Sequence, residues 1–465
     1  MATLAFATTG QAQDIPYANY LVGDRALGLG GAFVGLAEDG SATFHNPAGL
    51  SLVPENALSA SFWVAGLRHR DVSDGWMTTE GTSDLKETRL DFPPLVFTVV
   101  TRLGEADEHG HKKHALGAAI LKPLRHDYRF AASRDAGGSL SSLDIVHSDN
   151  ARWYGVSYAY GMRSPRLAFG ASAFVTLRTL LHEEIEAHGQ RGVPAPTPES
   201  HSLARHSLFE ATLRDLVWRV GLTWDPMTCW RIGVMAQLPG ISLGGPAKSR
   251  QLTLDVDLDG TMTTEQIEHP ELRAWRSIPW ELRVGATRFL GRDGLITADL
   301  SLHGSTGDAD TPNVLIRDAT VPRPLMLANE GYRSLSYRLA VGGEYVYRGR
   351  YPLRGGMLVY SSGTPAVPAQ ATSPSVPDIT TVGWSLSGGL ALPGGQHVQL
   401  GAALIHSFGV ASALDQTAVG PASYVATDTA ETTLLMFISG GIGGAKVLLE
   451  KGEQWLEEQQ NASDA

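Results

Sequence analysis

The sequence predicts an all-β protein: a 14-stranded antiparallel transmembrane β-barrel. Three observations carry that prediction. Long stretches alternate apolar with polar or small residues at a period of two, as strands with two unlike faces do. Connections between them are short and turn-rich at one end but long and polar at the other, the pattern of bacterial outer-membrane barrels. No apolar run reaches the roughly 18 residues of a membrane-crossing helix. With 18% charged residues and 52 glycines in 465, the chain also lacks the texture of a large soluble enzyme.

The alternation can be read residue by residue. In LVWRVGLTW, Trp218, Val220, Leu222 and Trp224 share one face, and Val217, Arg219, Gly221 and Thr223 share the other. WELRVGAT sets Trp280, Leu282, Val284 and Ala286 against Glu281, Arg283, Gly285 and Thr287. LSYRLAVGGEYVY sets Leu335, Tyr337, Leu339, Val341, Tyr345 and Tyr347 against Ser336, Arg338, Ala340, Gly342 and Glu344. The small and polar sets cannot face lipid, so they face a lumen. Strands are expected near 56–70, 88–103, 114–131, 151–163, 166–182, 207–225, 229–243, 271–290, 294–304, 332–348, 352–362, 379–392, 397–410 and 431–442.

The turns after even-numbered strands are GMRSPR, DPMTC, GRDG, RGRYP and LPGGQ. Long polar connections follow the odd-numbered ones, such as STGDADTPNVLIRDATVPRPL and a loop expected to carry His182, His188, His201 and His206. An unpaired backbone group costs several kcal/mol in hydrocarbon, so a membrane-spanning sheet has to close. Trp63, Trp153, Tyr154, Trp224, Trp230, Trp280, Tyr347, Tyr351 and Trp384 lie near strand ends and suit interfacial girdles. The alternative is a soluble sandwich or propeller. Sandwiches rarely show one-sided loop asymmetry, and a propeller repeat of ~40 to 50 residues is missing.

The first residues, MATLAFATTGQAQD, have a short apolar start and a small-residue end. They read as a remnant signal peptide over 1–12, with an ordinary disordered terminus as the alternative. A net charge of -11 argues against nucleic acid as a partner. Cys229 is alone, which excludes an intrachain disulfide and a cysteine-based metal site.

Residues 13–55 have neither strand nor helix texture. Their core, GDRALGLGGAFVGLAEDGSATFHNPAGL, resembles the N-terminal segment of the FadL-like long-chain fatty-acid transporter family of outer-membrane proteins, with its TodX and PorV-like relatives. The match rests on Gly23, Arg25, Ala26, Gly28, Gly30, Gly31, Ala32, Phe33, Asp39, Ser41, Ala42 and Asn46-Pro47-Ala48-Gly49-Leu50. The resemblance implies a hatch inside a fourteen-stranded barrel (56–444), uptake of hydrophobic compounds and hatch rearrangement on ligand binding. It also implies an outer-membrane location of the Gram-negative type, contact with outer-membrane lipid, and a hydrophobic small-molecule ligand. A monomer without cofactor or metal is expected.

A segment packed inside a lumen has to turn sharply and approach the wall closely, which favours glycine and alanine. Asp39-Gly40 and Asn46-Pro47 are turn signals. Arg25, Asp39, Asn46, Pro47 and Ala48 are therefore candidate ligand-binding or gating residues. Arg219, Arg231, Glu281, Arg283, Asp299, Arg338 and Glu344 are lumenal charges that either pair with one another and the hatch or hold the carboxylate of an amphipathic ligand.

Pro93-Pro94, Pro123 and Pro239-Gly240 interrupt strands. Pro123 stands in the third strand, where the resemblance places a lateral wall opening; an ordinary bulge is the alternative. The tail 445–465 has helical spacing and is expected in the periplasm, either against the barrel mouth or a partner, or solvated. HGHKKH (109–114) reads as a solvated turn, and Gly440 to Gly452 lacks the third glycine of a nucleotide loop. No hydrolase signature is present, so an enzyme is not expected. Two functions remain: a transporter of hydrophobic small molecules, and a PorV-like barrel that scaffolds or docks envelope or secretion partners.

Overall fold

The computed structural model describes residues 22–53, 56–78, 81–91, 96–106, 112–136, 139–162, 166–190, 201–256, 259–306, 314–316, 334–371, 375, 377–392, 396–417 and 423–442. The remnant signal, Pro93-Pro94 and the tail 445–465 lie outside them. The strands are β1 (Ala57–Thr78), β2 (Gly81–Asp91), β3 (Val96–Ala106), β4 (Lys112–Ala136), β5 (Ser139–Met162), β6 (Leu167–Gln190) and β7 (His201–Met227). Next come β8 (Trp230–Gln237), β9 (Ile241–Val256), β10 (Met262–Arg276), β11 (Glu281–Leu290), β12 (Gly294–His303) and β13 (Val314–Ile316). The last are β14 (Ser336–Tyr347), β15 (Tyr351–Ser361), β16 (Gln370–Ala371), β17 (Asp378–Ala391), β18 (Gln396–Gln416) and β19 (Ser423–Ile442).

The lower wall is a closed antiparallel circuit, β1-β3-β4-β5-β6-β7-β8-β11-β12-β14-β15-β17-β18-β19 and back to β1. That ring has the fourteen expected positions. Outward and inward residues alternate as the sequence predicts: in β14, Tyr337, Leu339, Val341, Tyr345 and Tyr347 are exposed, and Ser336, Arg338, Ala340 and Glu344 are buried. Tyr154, Trp224, Trp280, Tyr347, Tyr351 and Trp384 stand outward on the wall. Trp153 does not join them. Its place beside Tyr154 in a two-residue period turns it into the lumen, fully buried against Phe44 and Phe174.

Three of the fourteen positions are broken strands. β2 and β3 both run antiparallel to β1, one along its upper half and the other along its lower half. β9 and β8 divide β7 in the same way around Pro239-Gly240, and β10 and β11 continue each other across Pro279. Proline has no N–H to give a ladder, so the second and third breaks fall at Pro239 and Pro279.

Above the circuit the wall is taller than the sequence predicts. β5, β6 and β7 stay paired along 24 residues, from Ser139↔Gln190 and Gln190↔His201 down to the turns. The histidines expected in one long loop, His182, His188, His201 and His206, therefore lie on β6 and β7. Polar residues such as Glu184, Glu186 and His188 face inward there, and this reversed texture reads as loop in sequence.

The hatch fills the lower lumen. It comprises α1 (Asp24–Gly28), α2 (Ala42–His45) and a 3-10 turn, Pro47–Leu52. Ala26, Leu29, Phe33, Leu36, Ala42 and Leu50 form its own apolar core against Val100, Ala115 and Ala159 of the wall.

Candidate functional site: a clamped hatch and an outer pocket

The hatch is held by charges. Arg25 Nη1 donates to Glu38 Oε1 at 3.0 Å, while its Nε and Nη2 donate to the two oxygens of Glu344 at 2.9 Å. The other Glu38 oxygen accepts from Arg231 Nη1 at 2.8 Å, and Arg231 Nε donates to Asp225 at 2.7 Å. Arg354 also donates to Glu344. Burial alone would lower the Arg25 pKa, but Glu344 and Glu38 raise it above the ordinary guanidinium value. Glu38, absent from the sequence candidates, thus joins two arginines on opposite elements.

Asp39 turns away from that network. Its carboxylate accepts Ser41 N at 2.8 Å and Ser41 Oγ at 2.6 Å, closing an Asx turn. Burial, with Asp24 nearby, pushes its pKa up. Asn46 and Pro47 lie in the lumen against the wall. Asn46 Nδ2 donates to Val34 O and Leu222 O at 3.0 Å and to Thr223 Oγ1 at 3.1 Å, and its Oδ1 accepts from Ala48 N at 3.2 Å. The approach needs inward glycines: a side chain at Gly221 would meet Asn46 Oδ1, and one at Gly170 would meet the Pro47–Ala48 peptide.

Asp299 receives Phe33 N at 2.5 Å and Val34 N at 2.7 Å, so a wall carboxylate closes a hatch turn. Arg219 donates to Phe44 O, to Gln237 at 2.9 Å and to Glu281 at 3.2 Å, and lies over the Phe44 ring at 3.9 Å. Arg283 also binds Glu281 and approaches His45 Nδ1 at 3.5 Å. His45 Nε2 donates to Val22 O at 2.6 Å. Burial first, then Arg283, lower the His45 pKa to about 3, so the ring is neutral. Arg338 is buried with no ion pair among the described residues, and its Nη2 has no hydrogen-bond partner.

Above the hatch, a pocket of about 90 Å³ opens between the tall strands β1, β18 and β19 on one side and β4, β5 and β6 on the other. Val72, Leu85, Tyr128, Phe130, Ile145 and Leu414 supply apolar lining. Its cation is already bound: Arg70 donates to Glu431 from Nε at 2.8 Å and lies over the Tyr128 ring at 4.6 Å. Tyr424 Oη donates to Glu184 at 2.9 Å, and Gln416 Nε2 to Glu186 at 3.0 Å, joining the two tall sides.

One side of this pocket is a seam. β3 and β4 pair up to Phe97↔Ile120; above that, among the described residues, β2 and β4 share no backbone ladder. Side chains span the gap instead. Arg134 donates to Gly81 O at 2.6 Å and Thr82 O at 2.8 Å, Arg129 N donates to Glu87 at 3.0 Å, and Arg68 donates to Asp127 O at 3.1 Å. Pro123 sits at the foot of the seam, in a bulge between Leu121 and Leu124. Leu85 on one flank and Tyr128 and Phe130 on the other line the pocket.

Sequence reasoning missed Glu38 and the whole pocket lining. A usable signal for the latter was the apolar inward pair Val72 and Leu85, just beyond the expected strand ends, with Phe130 at the end of the expected strand 114–131.

A closed fourteen-stranded barrel with an apolar outer face, a lumen plugged by its own N-terminal segment and an apolar pocket above the plug defines a class: the plugged barrels of the membrane-spanning kind. No family model matches the chain, and no curated protein matches it. Solved structures do. A Pseudomonas aeruginosa FadL homologue superimposes with a TM-score of 0.57 at 12% identity, over 93% of this chain and 99% of that one. The Pseudomonas putida toluene transporter TodX gives 0.56 at 13%, over 93% and 100%. The CymD monoaromatic hydrocarbon channel gives 0.51 at 13%, over 92% and 98%. The fold is therefore FadL-like, as the opening segment implied.

Proposed function

We propose that the protein lies in the outer membrane of a Gram-negative cell and passes hydrophobic small molecules inward. The observation that carries this reading is the junction of an apolar pocket with a wall seam at which, among the described residues, β2 and β4 share no backbone ladder. A hydrophobe entering between the tall strands desolvates in the pocket, where burial stabilises it by about 25 cal/mol per Å² of apolar surface. It then leaves sideways at the foot of the seam between β2 and β4, beside the Pro123 bulge and level with Arg152 on β5, where only side-chain bonds have to part. The hatch keeps the lower lumen shut to water throughout. Fatty acids and neutral hydrocarbons are both candidate cargoes, and Pro123 with its bulge is the proposed weak point of the wall. The solved neighbours named as hydrocarbon and toluene channels support the class of cargo.

Uptake tests the reading. Cells with this chain as their sole hydrophobe channel are expected to accumulate labelled toluene or oleate, and Ala411→Trp, which fills the pocket, is expected to cut the rate about tenfold. Equal accumulation with and without the chain would remove the transport function.

A further inference from the structure

The outer wall carries three features stacked at consecutive heights on β3 to β9, none of them used by the lumen. Lowest is an apolar groove of about 460 Å³ on the lipid side, hollowed by Ala118 and Ala173 between Phe97, Ile120, Tyr154 and Trp218. Next comes a basic row. Arg152, Leu177 and Arg214 pair across β5, β6 and β7, one outward position above Tyr154, Val175 and Leu216. Arg152 and Arg214 are both exposed and make no ion pair among the described residues; two strand spacings put their backbones roughly 10 Å apart. The outward row above holds Asn150, Thr179 and Thr212, without a carboxylate. Highest is a groove of about 500 Å³ with a polar edge of Ser148, Thr179, Glu210, Thr212 and Lys248 over an apolar floor of Leu180, Ala211 and Ala247.

The height of the basic row fits a membrane boundary. From the outward Trp224 at the lower rim to Arg214 the strand advances ten residues, about 33 Å along a strand and roughly 25 Å along the normal at a tilt near 40°, which is the height of a barrel's apolar band. Unpaired arginines at that level favour an anion, and their fork suits phosphate.

We propose that this face binds one phosphorylated glycolipid of the outer leaflet. An acyl chain lies in the groove over Ala173, a phosphate lies on Arg152 and Arg214, and the sugar lies along the polar edge of the upper groove. The proposal rests on the outer-membrane reading but not on transport, since no residue of the pocket, seam or hatch takes part.

Native mass spectrometry of the detergent-folded barrel titrated with hexa-acylated diphosphoryl lipid A tests it. One lipid per barrel is expected, with about tenfold weaker binding for Arg152→Gln/Arg214→Gln, for Ala173→Trp, and for the same lipid stripped of phosphate. Heat-modifiable gel mobility confirms that each variant is folded, and uptake by the arginine variant is expected to equal that of the parent. Unchanged binding by the arginine variant, or equal binding of the phosphate-free lipid, overturns the site while leaving the transporter reading intact. Loss of uptake in the parent with lipid binding preserved does the reverse.

Discussion

The lower and upper halves of the lumen are enclosed by one continuous set of strands, but they are filled on opposite principles. Below, the hatch is locked by paired charges and close glycine contacts, so displacing it unpairs several buried groups at once. Above, an apolar pocket is bordered by a seam where, among the described residues, side-chain bonds stand in place of a ladder. Breaking a buried ion pair by removing one partner costs about 3–5 kcal/mol, whereas parting one of the seam's charge-assisted hydrogen bonds costs about 1.5–3. Motion is therefore expected above and resistance below, which suits the proposed sideways release over a shut floor.

The sharpest way to break that contrast is Glu38→Gln. It removes the carboxylate shared by Arg25 and Arg231, leaving each guanidinium with one acidic side, at a cost of about 3–5 kcal/mol to hatch docking. Planar-bilayer recordings are expected to show frequent large openings absent from the parent. A silent variant would mean that the charges do not hold the floor.

Gly221→Val tests the same floor by contact instead of charge. The new side chain meets Asn46 Oδ1 and the Pro47 ring, and overpacking of this kind costs about 1–3 kcal/mol. A cysteine placed at Ala48 in a Cys229→Ser background is expected to label several-fold faster with a water-soluble maleimide when Gly221 is replaced.

The sequence made the lower half far more legible than the upper. Where lipid lies outside, the inward and outward sets differ in polarity, and period-two alternation marks β6, β7, β11 and β14 directly. Above the membrane both faces meet water or protein, so Glu184, Glu186 and His188 on β6 read as loop. The hatch was recognisable by its small residues and Asn46-Pro47, but its clamp was not. Glu38 and Asp39 are adjacent carboxylates, and only the turn at Gly40 decides that Asp39 binds its own backbone and Glu38 reaches the arginines. Pocket lining was least legible of all: Val72 and Leu85 pair within one hairpin, but Leu414 and Tyr424 reach them only through the closure of the barrel by β18 and β19.

His45 gives the floor a pH dependence. Its neutral ring donates to Val22 O and faces Arg283, with Arg219 and Arg338 near by. Because its pKa in the folded state is about 3, below the free value of 6.5, the neutral form contributes stability that is fully present above pH 6.5 and is lost as pH falls towards 3. Hatch labelling at Ala48 is expected to rise steadily on acidification from pH 7 to 4, and His45→Gln is expected to flatten that rise.

The smallest effect is expected in the upper half, from Tyr424→Phe. The hydroxyl that joins β19 to Glu184 on β6 is lost, while the ring keeps its place in the apolar cluster with Val72, Trp76 and Leu414. The carboxylate keeps His182 Nε2 at 3.8 Å, so the loss is about 1 kcal/mol. If the tall sides part to admit cargo, this bond opposes entry, and uptake in the variant is expected to rise about twofold to fivefold with bilayer conductance unchanged. A fall in uptake would show that the bond serves the bound state instead, and a rise in conductance would show that the two halves of the lumen are coupled.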